Sequence, residues 1–275
     1  EDMAEYLGTI ENGQSFGSLA GDKGVGTFGG SEDHTAMLCC RAGMLSQYSY
    51  CPVRLEKRIC LPQRYVFAVA SSGVAAEKTG AAMAKYNRAS RLASAVVEVW
   101  NDGTGRRDAH LAAALASDGP AAAARMREIL MSCAPREFTP AELAARFGQF
   151  CAESEEIIPA AGAALENAHM ESFGRIVDRS QELAESLLGN QVPQTVFLAR
   201  SARRLGAAAA SAFGAGFGGS VWAMVRREQA DEFLAAWKAR YAERFCAEAK
   251  KAAFFATCAG PAAFELSGEQ GAENT

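Results

Sequence analysis

The stretch AAAASAFGAGFGGSVWAMV, residues 207–225, decides the fold class. Its small residues and its Val-Trp-Ala-Met-Val ending predict two strands, which are separated by four glycines within residues 214–219. Because glycine has no Cβ, the N–H groups of such a loop can approach a ligand closely or surround an anion. A tight connection between two strands is the alternative. No Gly-Lys-Ser/Thr follows and no helix opens there, so the loop is neither a Walker A loop nor a dinucleotide fingerprint.

Helical patterns surround this strand pair. Glycines at 189 and 206 follow two helical segments, as glycine does at helix C-termini. Short apolar runs later in the chain predict two more strands, and the polar tail after them is expected to fray. The predicted elements are helices over about 163–188, 194–205 and 229–250, strands over 254–258 and 262–266, and a tail over 267–275. This mixture predicts an α+β fold.

The first hundred residues carry other patterns. Glycines occupy seven of the eighteen positions from 13 to 30, so that segment is not expected to be regular structure. Turn signals such as Ala42-Gly43 and Cys51-Pro52 separate apolar and β-branched runs, which predicts antiparallel strands. The predicted elements are a helix over Asp2–Asn12, strands within 36–39, 45–50 and 65–69, and a long amphipathic helix over 80–100.

The polar, glycine-punctuated segment 101–108 marks the expected domain boundary. Alanine-rich helices are predicted after it, near 109–116, 120–132 and 140–156. The last of these begins with a capping Thr139, Pro140 at the first helical position and an acid in the first turn. We therefore predict two domains, over residues 1–100 and 101–275.

Composition limits the class of partner. The 275 residues include 28 basic and 32 acidic side chains, for a formal charge of −4, which offers no electrostatic footprint for nucleic acid or for an anionic membrane. No apolar run reaches the length of a membrane helix, and the start of the chain is acidic. Eight scattered cysteines without a CxxC pair predict free, mostly buried thiols and a cytoplasmic protein. A small-molecule substrate fits this balance best.

A second group of polar residues follows the glycine pair Gly29-Gly30. Ser31-Glu32-Asp33-His34 places two carboxylates beside a hydroxyl, directly before the element that begins near Thr35. Asp33 is a candidate general base for a hydroxyl nucleophile, a role worth about 10² to 10⁴ in rate. A helix start is the alternative, because Ser and Asp favour the N-cap and acids favour the first turn.

The long helix carries Tyr86-Asn87-Arg88, in which a tyrosine offers an aromatic ring with a hydroxyl tip and the arginine a rigid cationic fork. Ordinary packing and surface roles are the alternative for these side chains. The three histidines are separated in sequence, so no Ser/His/Asp or Cys/His arrangement and no zinc site can be argued from spacing.

Taken in order, these pieces resemble the galactokinase branch of the GHMP kinases, which phosphorylate a sugar hydroxyl with ATP and Mg²⁺. Four stretches carry the resemblance, and the match to the family's Gly-x-Gly-Phe-Gly-Gly loop between two strands is the closest of these. The stretches that carry the resemblance are Glu11-Asn12 followed by residues 29–34, then Tyr86-Asn87-Arg88 for Tyr-Asn-x-Arg, residues 173–181 for Phe-Gly-x-Leu-Met-x-x-Ser-His, and Gly214-Ala215-Gly216-Phe217-Gly218-Gly219.

The resemblance implies a fold in which the remainder of a GHMP kinase N-terminal domain precedes a C-terminal ferredoxin-like GHMP domain. It implies that Asp33 acts as the base and that Gly30, Asp33 and Tyr86 contact the sugar. The phosphates would lie beside Gly214, Gly216, Gly218 and Gly219. The implied ligands are a sugar, most simply galactose, with ATP and Mg²⁺, and no protein ligand to the metal is assigned. The resemblance gives no oligomeric state.

Two departures from the family pattern shape the expectations. Galactokinases usually carry Gln after the catalytic Asp, where this chain has His34, so arabinose, fucose or a heptose phosphate are alternatives to galactose. The family's opening sugar-binding motif and its Gly-Leu-Ser-Ser-Ser phosphate loop do not occur in the sequence, and we expect them upstream of residue 1. Activity should then depend on that segment. A non-catalytic sugar-binding regulatory relative is the alternative function.

Overall fold

The computed structural model describes residues 1–76, 83–134 and 136–265. The α-helices are α1 (Asp2–Asn12), α2 (Glu32–Cys39), α3 (Met83–Thr104), α4 (Leu111–Ser117), α5 (Ala122–Ser132), α6 (Pro140–Cys151), α7 (Ile158–Glu166), α8 (Met170–Leu183), α9 (Pro193–Arg204) and α10 (Ala230–Arg244). The strands are β1 (Met44–Ser49), β2 (Arg54–Cys60), β3 (Tyr65–Ser71), β4 (Ala209–Ala212), β5 (Ser220–Arg226) and β6 (Ala253–Thr257). Single π-helical turns follow α6 and α8, at Ala152–Ile157 and Ala184–Leu188.

Four strands form one antiparallel sheet in the order β4-β5-β3-β6. In chain order, β3 is followed by helices, then by β4 and β5, then by α10 and β6, which is the split βαβ arrangement of ferredoxin-like folds. The predictions of an α+β fold and of a ferredoxin-like unit are therefore confirmed. Strands β1 and β2 form a separate antiparallel hairpin with an irregularity between Gln47 and Tyr48.

The sheet is covered on both faces, which explains its apolar sequence. On β5, Val221, Ala223 and Val225 pack with buried residues of α9 and α10. The alternate residues Trp222 and Met224 lie in the other core, which is formed with α7 and α8. Side chains of a strand alternate between faces, so both sets must be apolar when helices cover both.

The helices α3 to α6 build a core of their own around the fully buried Trp100, Met126, Leu130 and Phe147. Helix α6 starts as predicted: the Thr139 hydroxyl accepts a hydrogen bond from the backbone N–H of Glu142, and the Glu142 carboxylate accepts one from the N–H of Thr139. This capping box satisfies two N–H groups that the helix itself leaves unpaired.

Several predicted elements differ from the observed ones. The run 36–39 is the end of α2, not a strand, because Ser31 and the acidic first turn start a helix there. The predicted helix 163–188 is broken between α7 and α8, where Ala168 has a positive φ of 55°. This break lets both helices pack against the same sheet face. Residues 262–265 form no strand, and residues 80–82 and 266–275 lie outside the described residues.

Strand β3 comes from the first hundred residues and pairs along its length with β5, and α3 continues to Thr104. The division of the chain at about residue 100 stays a prediction. The prediction that the eight cysteines are free thiols is confirmed. The prediction that most of them are buried is wrong, because Cys151 is the one buried cysteine of the eight. Within the described ranges, no helix has both the length and the apolarity needed to cross a membrane.

The hydrogen bond of Tyr241 in α10 tests how strongly this helix stabilises the sheet. Tyr241 is fully buried, and its hydroxyl donates a hydrogen bond to the carbonyl oxygen of Ser72, directly after β3. The substitution Tyr241→Phe removes the donor, so we expect it to lower the free energy of unfolding by about 1–3 kcal/mol. Urea denaturation at pH 8 measures this. The control is Tyr6→Phe, which removes a hydroxyl that bonds to no described residue.

The same residue predicts a pH dependence. Burial, with a smaller contribution from the charge of Glu248, raises the pKa of Tyr241 to about 12. The unfolded chain would ionise this phenol near pH 10, so the stabilisation is complete below pH 10 and is lost as the pH rises towards 12. The stability difference between the native protein and Tyr241→Phe should therefore shrink across that range by up to about 3 kcal/mol. A difference that stays constant to pH 12 would contradict the buried position.

Candidate functional site

The end of α1 holds the glycine-rich loop that leads to Asp33. Glu11 accepts a hydrogen bond from the hydroxyl of the buried Thr27 at 2.9 Å, and the side-chain amide of Asn12 donates to the carbonyl oxygen of Gly29 at 2.8 Å. A loop this rich in glycine has few side chains to pack, so side chains from neighbouring helices must fix it instead. The Glu11-Asn12 pair does this from one side.

The start of α3 holds the same loop from the other side. The Asn87 side chain accepts from the N–H of Phe28 at 2.9 Å and donates to the carbonyl oxygen of Gly26 at 2.8 Å. Beside it, the Tyr86 hydroxyl lies 2.8 Å from where a Cβ on Gly29 would be, whereas a Cβ on Gly30 would meet nothing within 4 Å. Gly29 is therefore closely covered, and Gly30 faces open space.

Three titratable groups meet behind this loop. The Nε2 atom of His34 lies 3.6 Å from a carboxylate oxygen of Glu11 and 3.8 Å from one of Asp33. The ligand atoms of all three residues lie within 4.8 Å of one another. The side chains of Glu11 and His34 are 18% and 17% exposed, whereas that of Asp33 is 54% exposed. Asp33 is therefore the member of the cluster that a substrate can reach.

The cluster offers two kinds of metal ligand. Mg²⁺ takes oxygen ligands and is commonly held by one or two carboxylates together with substrate phosphates, which fits Glu11 and Asp33. The imidazole of His34 suits softer transition metals and does not suit Mg²⁺. Both ring nitrogens of His34 are buried and form no hydrogen bond with a described residue. The oxygen pair thus fits the metal that the family resemblance implies.

Charges accumulate on the first turn of α2. Although Glu32 as a residue is exposed, the protein atoms around its carboxyl raise its pKa, and the negative charge of Asp33 adds to the effect. Burial also raises the pKa of Tyr50 to about 12, and the charge of Glu32 adds to it. In both groups burial is the larger cause of the raised pKa, and a neighbouring negative charge adds to it.

The second glycine loop, residues 214–219, connects β4 and β5 as predicted. Gly216, Phe217, Gly218 and Gly219 all have positive φ values, between 59° and 137°. The buried Asn190 fastens the loop: its carbonyl oxygen accepts from the N–H of Phe217, and its side chain donates to the carbonyl oxygen of Ala215. The N–H groups of Gly214, Gly216 and Gly218 find no acceptor among the described residues, so they are available to an anion.

Chain connectivity limits the distance between the two glycine loops. The N–H of Gly219 donates to the carbonyl oxygen of Val74, and a Cβ on Gly219 would lie 3.5 Å from Ala76. At the other loop, a Cβ on Gly26 would lie 3.6 Å from the sulfur of Met83. Residues 76 and 83 are seven Cα steps apart, which spans at most about 25 Å. This length is an upper limit on the distance between residues 76 and 83, the two residues next to which the glycine loops lie.

Other parts of the motifs have structural roles. Arg88 forms an ion pair with Glu142 and stacks on the ring of Phe138. It therefore connects α3 to α6 and is not part of the site. Gln181, where the family often has His, is buried and accepts from the N–H of Ala212 at the end of β4. The packing alternative therefore describes Arg88 correctly.

Some residues of the site had no role that the sequence could predict. Glu11, Asn12 and Asn87 were seen as motif residues without a role, and their hydrogen bonds now show that they position the loop. No role was predicted for His34, because its contact with Glu11 links α1 to α2 and leaves no trace in local spacing.

Comparisons with known proteins bear on the family and on the fold. Residues 162–243 match the family model described as GHMP kinases C terminal. This range of the chain, 162–243, is therefore similar to the C-terminal domain of GHMP kinases. No curated protein sequence matches the chain.

The fold is galactokinase-like. The structure of Lactococcus lactis galactokinase complexed with galactose superposes with a TM-score of 0.68 at 15% identity. The match covers 86% of this chain but 56% of the galactokinase, so the chain spans little more than half of that protein's length.

Mevalonate kinase from L. major in complex with R-mevalonate gives a TM-score of 0.40 at 16% identity, and homoserine kinase from Cytophaga hutchinsonii gives 0.40 at 13%. Each of these matches covers 80% of this chain and 50% of the other. Scores this low bear on neither fold nor substrate.

Gly216 tests how tightly the second loop is fastened. A Cβ there would lie 2.3 Å from the carbonyl oxygen of Asn190, and φ is +85°, so Gly216→Ala must displace the loop. Gly214→Ala is the matched control, because φ is also positive at +77° but nothing lies within 4 Å of its Cβ. We expect Gly216→Ala to lower the free energy of unfolding by about 1–3 kcal/mol more than the control does. Equal effects in urea denaturation would show that Asn190 does not hold the loop.

Proposed function

We propose that this chain is part of a small-molecule kinase that transfers a phosphoryl group from ATP to a monosaccharide hydroxyl, with galactose as the first candidate. The observation that carries the proposal is the placement of Asp33. It is an exposed carboxylate beside two partly buried partners, Glu11 and His34, in the first turn of α2. The loop before it is fixed by polar side chains of α1 and α3, and the fold is galactokinase-like.

Asp33 is the proposed base. Its Oδ1 atom accepts a hydrogen bond from the N–H of His34 at 2.9 Å, and its Oδ2 atom is the proposed proton acceptor. A sugar hydroxyl within about 2.6–3.2 Å of Oδ2 would pass its proton to Asp33 as its oxygen attacks the phosphorus atom. The proposed sugar contacts are Gly30, which faces open space on the loop, and the hydroxyl of Tyr86 on α3, which lies beside the loop at Gly29.

The glycine loop is the proposed phosphate contact. The three N–H groups of Gly214, Gly216 and Gly218 would stabilise negative charge on the transferred group without needing to reorganise, since Asn190 already fixes their positions. When bound with ATP, Mg²⁺ would neutralise part of the phosphate charge, and the Glu11 and Asp33 carboxylates are the residues of this chain that would hold it.

We further propose that turnover requires the segment upstream of residue 1, because phosphoryl transfer depends on positioning and charge neutralisation by a full phosphate site. The chain would then comprise a partial N-terminal kinase domain to about residue 100 and a C-terminal GHMP domain. Strand β3 belongs to the first of these segments in sequence and to the sheet of the second in space. We expect the protein to act in the cytoplasm on small molecules. The alternative function is a sugar-binding regulator without turnover.

The test measures ATP-dependent phosphorylation over a panel of galactose, arabinose, fucose and a heptose phosphate. It uses the 275-residue chain and a version extended by its genomic upstream sequence. In the active version, Asp33→Asn should lower kcat by about 10² to 10⁴ while the calorimetric Kd for the sugar changes little, because the amide keeps the shape of the carboxylate. Glu32→Gln is the matched control on the same helical turn, and its kcat should stay close to that of the parent.

The outcomes separate the alternatives. Turnover of one panel sugar that depends on Asp33 supports the kinase. Full activity of Asp33→Asn would remove Asp33 from the role of base. If both versions are silent and yet bind a sugar in the calorimeter, the chain is the regulatory relative.

A further inference from the structure

A separate cavity of about 470 Å³ lies between the β1–β2 hairpin and the helices α3, α4 and α6. This volume is in the range of small-molecule sites. Of the described residues, neither Asp33 nor Tyr86 nor any residue of the 214–219 loop lines it. The cavity is therefore distinct from the proposed kinase site and needs its own explanation.

The cationic group in the cavity wall is Arg146 of α6. Its Nε atom donates to the carbonyl oxygen of Ala89 at 3.3 Å, and its Nη1 atom donates to the Gln149 side chain at 2.7 Å. These contacts fix the plane of the guanidinium. No carboxylate of the described residues lies within ion-pair distance, and Nη2 has no acceptor among them. Burial lowers the pKa of Arg146, as expected for a cation that lacks a counter-charge.

Two irregular backbone features shape the cavity around this guanidinium. The π-helical turn Ala152–Ile157 brings Ser154 and Glu155 into the wall, and π-turns are frequent at functional sites. On the opposite side, the irregular pairing of the hairpin between Gln47 and Tyr48 falls at two lining residues. Bulges of this kind commonly re-aim side chains beside binding sites.

The remaining polar groups define the chemistry of the ligand. His110 accepts from the N–H of Ala113 through Nδ1, so Nε2 of the neutral ring is a donor. Glu56 already accepts from Gln47 at 2.6 Å, and Glu155 is exposed. Ser90 and Ser94 add hydroxyl groups from α3, which can bond to hydroxyls of a ligand. The cavity wall thus offers donors around Arg146, together with two exposed acidic groups, Glu56 and Glu155.

We propose that this cavity binds a small polyol that carries one anionic group, a carboxylate or a monophosphate, and that Arg146 pairs with the anion. The tyrosine rings at 48 and 50 line the same cavity and offer apolar faces to the carbon skeleton of the ligand. The guanidinium then gains the counter-charge that the protein does not supply, and bidentate pairing is the geometry that arginine favours. This proposal does not rest on the kinase function.

The test is calorimetry of the 275-residue chain with galacturonate, galactose 6-phosphate and inorganic phosphate as probes. Saturating galactose is present throughout, so that a neutral-sugar site elsewhere is occupied. Arg146→Gln should weaken binding of the preferred probe at least about tenfold, because it removes a charge-assisted hydrogen bond. Ser94→Trp places a large ring in the cavity from an exposed helix position and should abolish binding. The control is Arg136→Gln, an exposed arginine paired with Asp102, which should leave the Kd unchanged.

The results distinguish the cavity from other sites. A preference for galacturonate marks the anion as a carboxylate, and a preference for galactose 6-phosphate marks it as a phosphate. Binding that survives both Arg146→Gln and Ser94→Trp but disappears in Asp33→Asn would place the ligand elsewhere and overturn the proposal. So would a parent chain that binds no probe. If Arg146→Gln does not fold, as judged by circular dichroism, Ser94→Trp decides the question.

Discussion

Seven residues of β3 pair with seven of β5, from Tyr65 opposite Arg226 to Ser71 opposite Ser220. Where the pairing ends, the N–H of Ser72 donates to the carbonyl oxygen of Gly219, and the glycine loop is thereby set against the chain that leads to α3. A slip of one residue would move every β5 side chain to the opposite face. Both faces are covered by helices, so the register is fixed by packing as well as by hydrogen bonds.

The other side of the proposed site is fixed in a different way. The loop before Asp33 belongs to no strand or helix, and side chains of Glu11, Asn12 and Asn87 supply the bonds that a sheet would otherwise give. This arrangement leaves Asp33 exposed on a rigid support. It also places the carboxylates of Glu11 and Asp33 close together, where a bound cation can offset their negative charge. A loop fixed in this way suits a substrate that must be held in one orientation.

The sequence was sufficient for elements whose signals are local. The cap and proline at the start of α6 and the strand-glycine-strand pattern at 207–225 both led to correct elements. At α2, a helix start competed with a short apolar run, and the start signal prevailed. Strand β2 was not predicted, because charged residues within 54–58 obscure the alternation of apolar and polar side chains that is typical of a strand paired as β2 is with β1.

The site was predictable only where the family resemblance named its residues. The proposed roles of Asp33, Gly30, Tyr86 and the glycine loop came from motif order and stay proposals. The contacts of Glu11 with His34, and of Arg146 with its cavity, join residues that are distant in sequence or lie on different elements. No local periodicity encodes such contacts, so they required coordinates.

The most direct measurement of the central claim is a crystal structure of the upstream-extended protein with galactose, Mg²⁺ and a non-hydrolysable ATP analogue. The account predicts a sugar hydroxyl within about 3 Å of the Asp33 carboxylate, in line with a γ-phosphate that accepts hydrogen bonds from N–H groups of residues 214–219. A nucleotide bound away from that loop, or a sugar out of reach of Asp33, would contradict it.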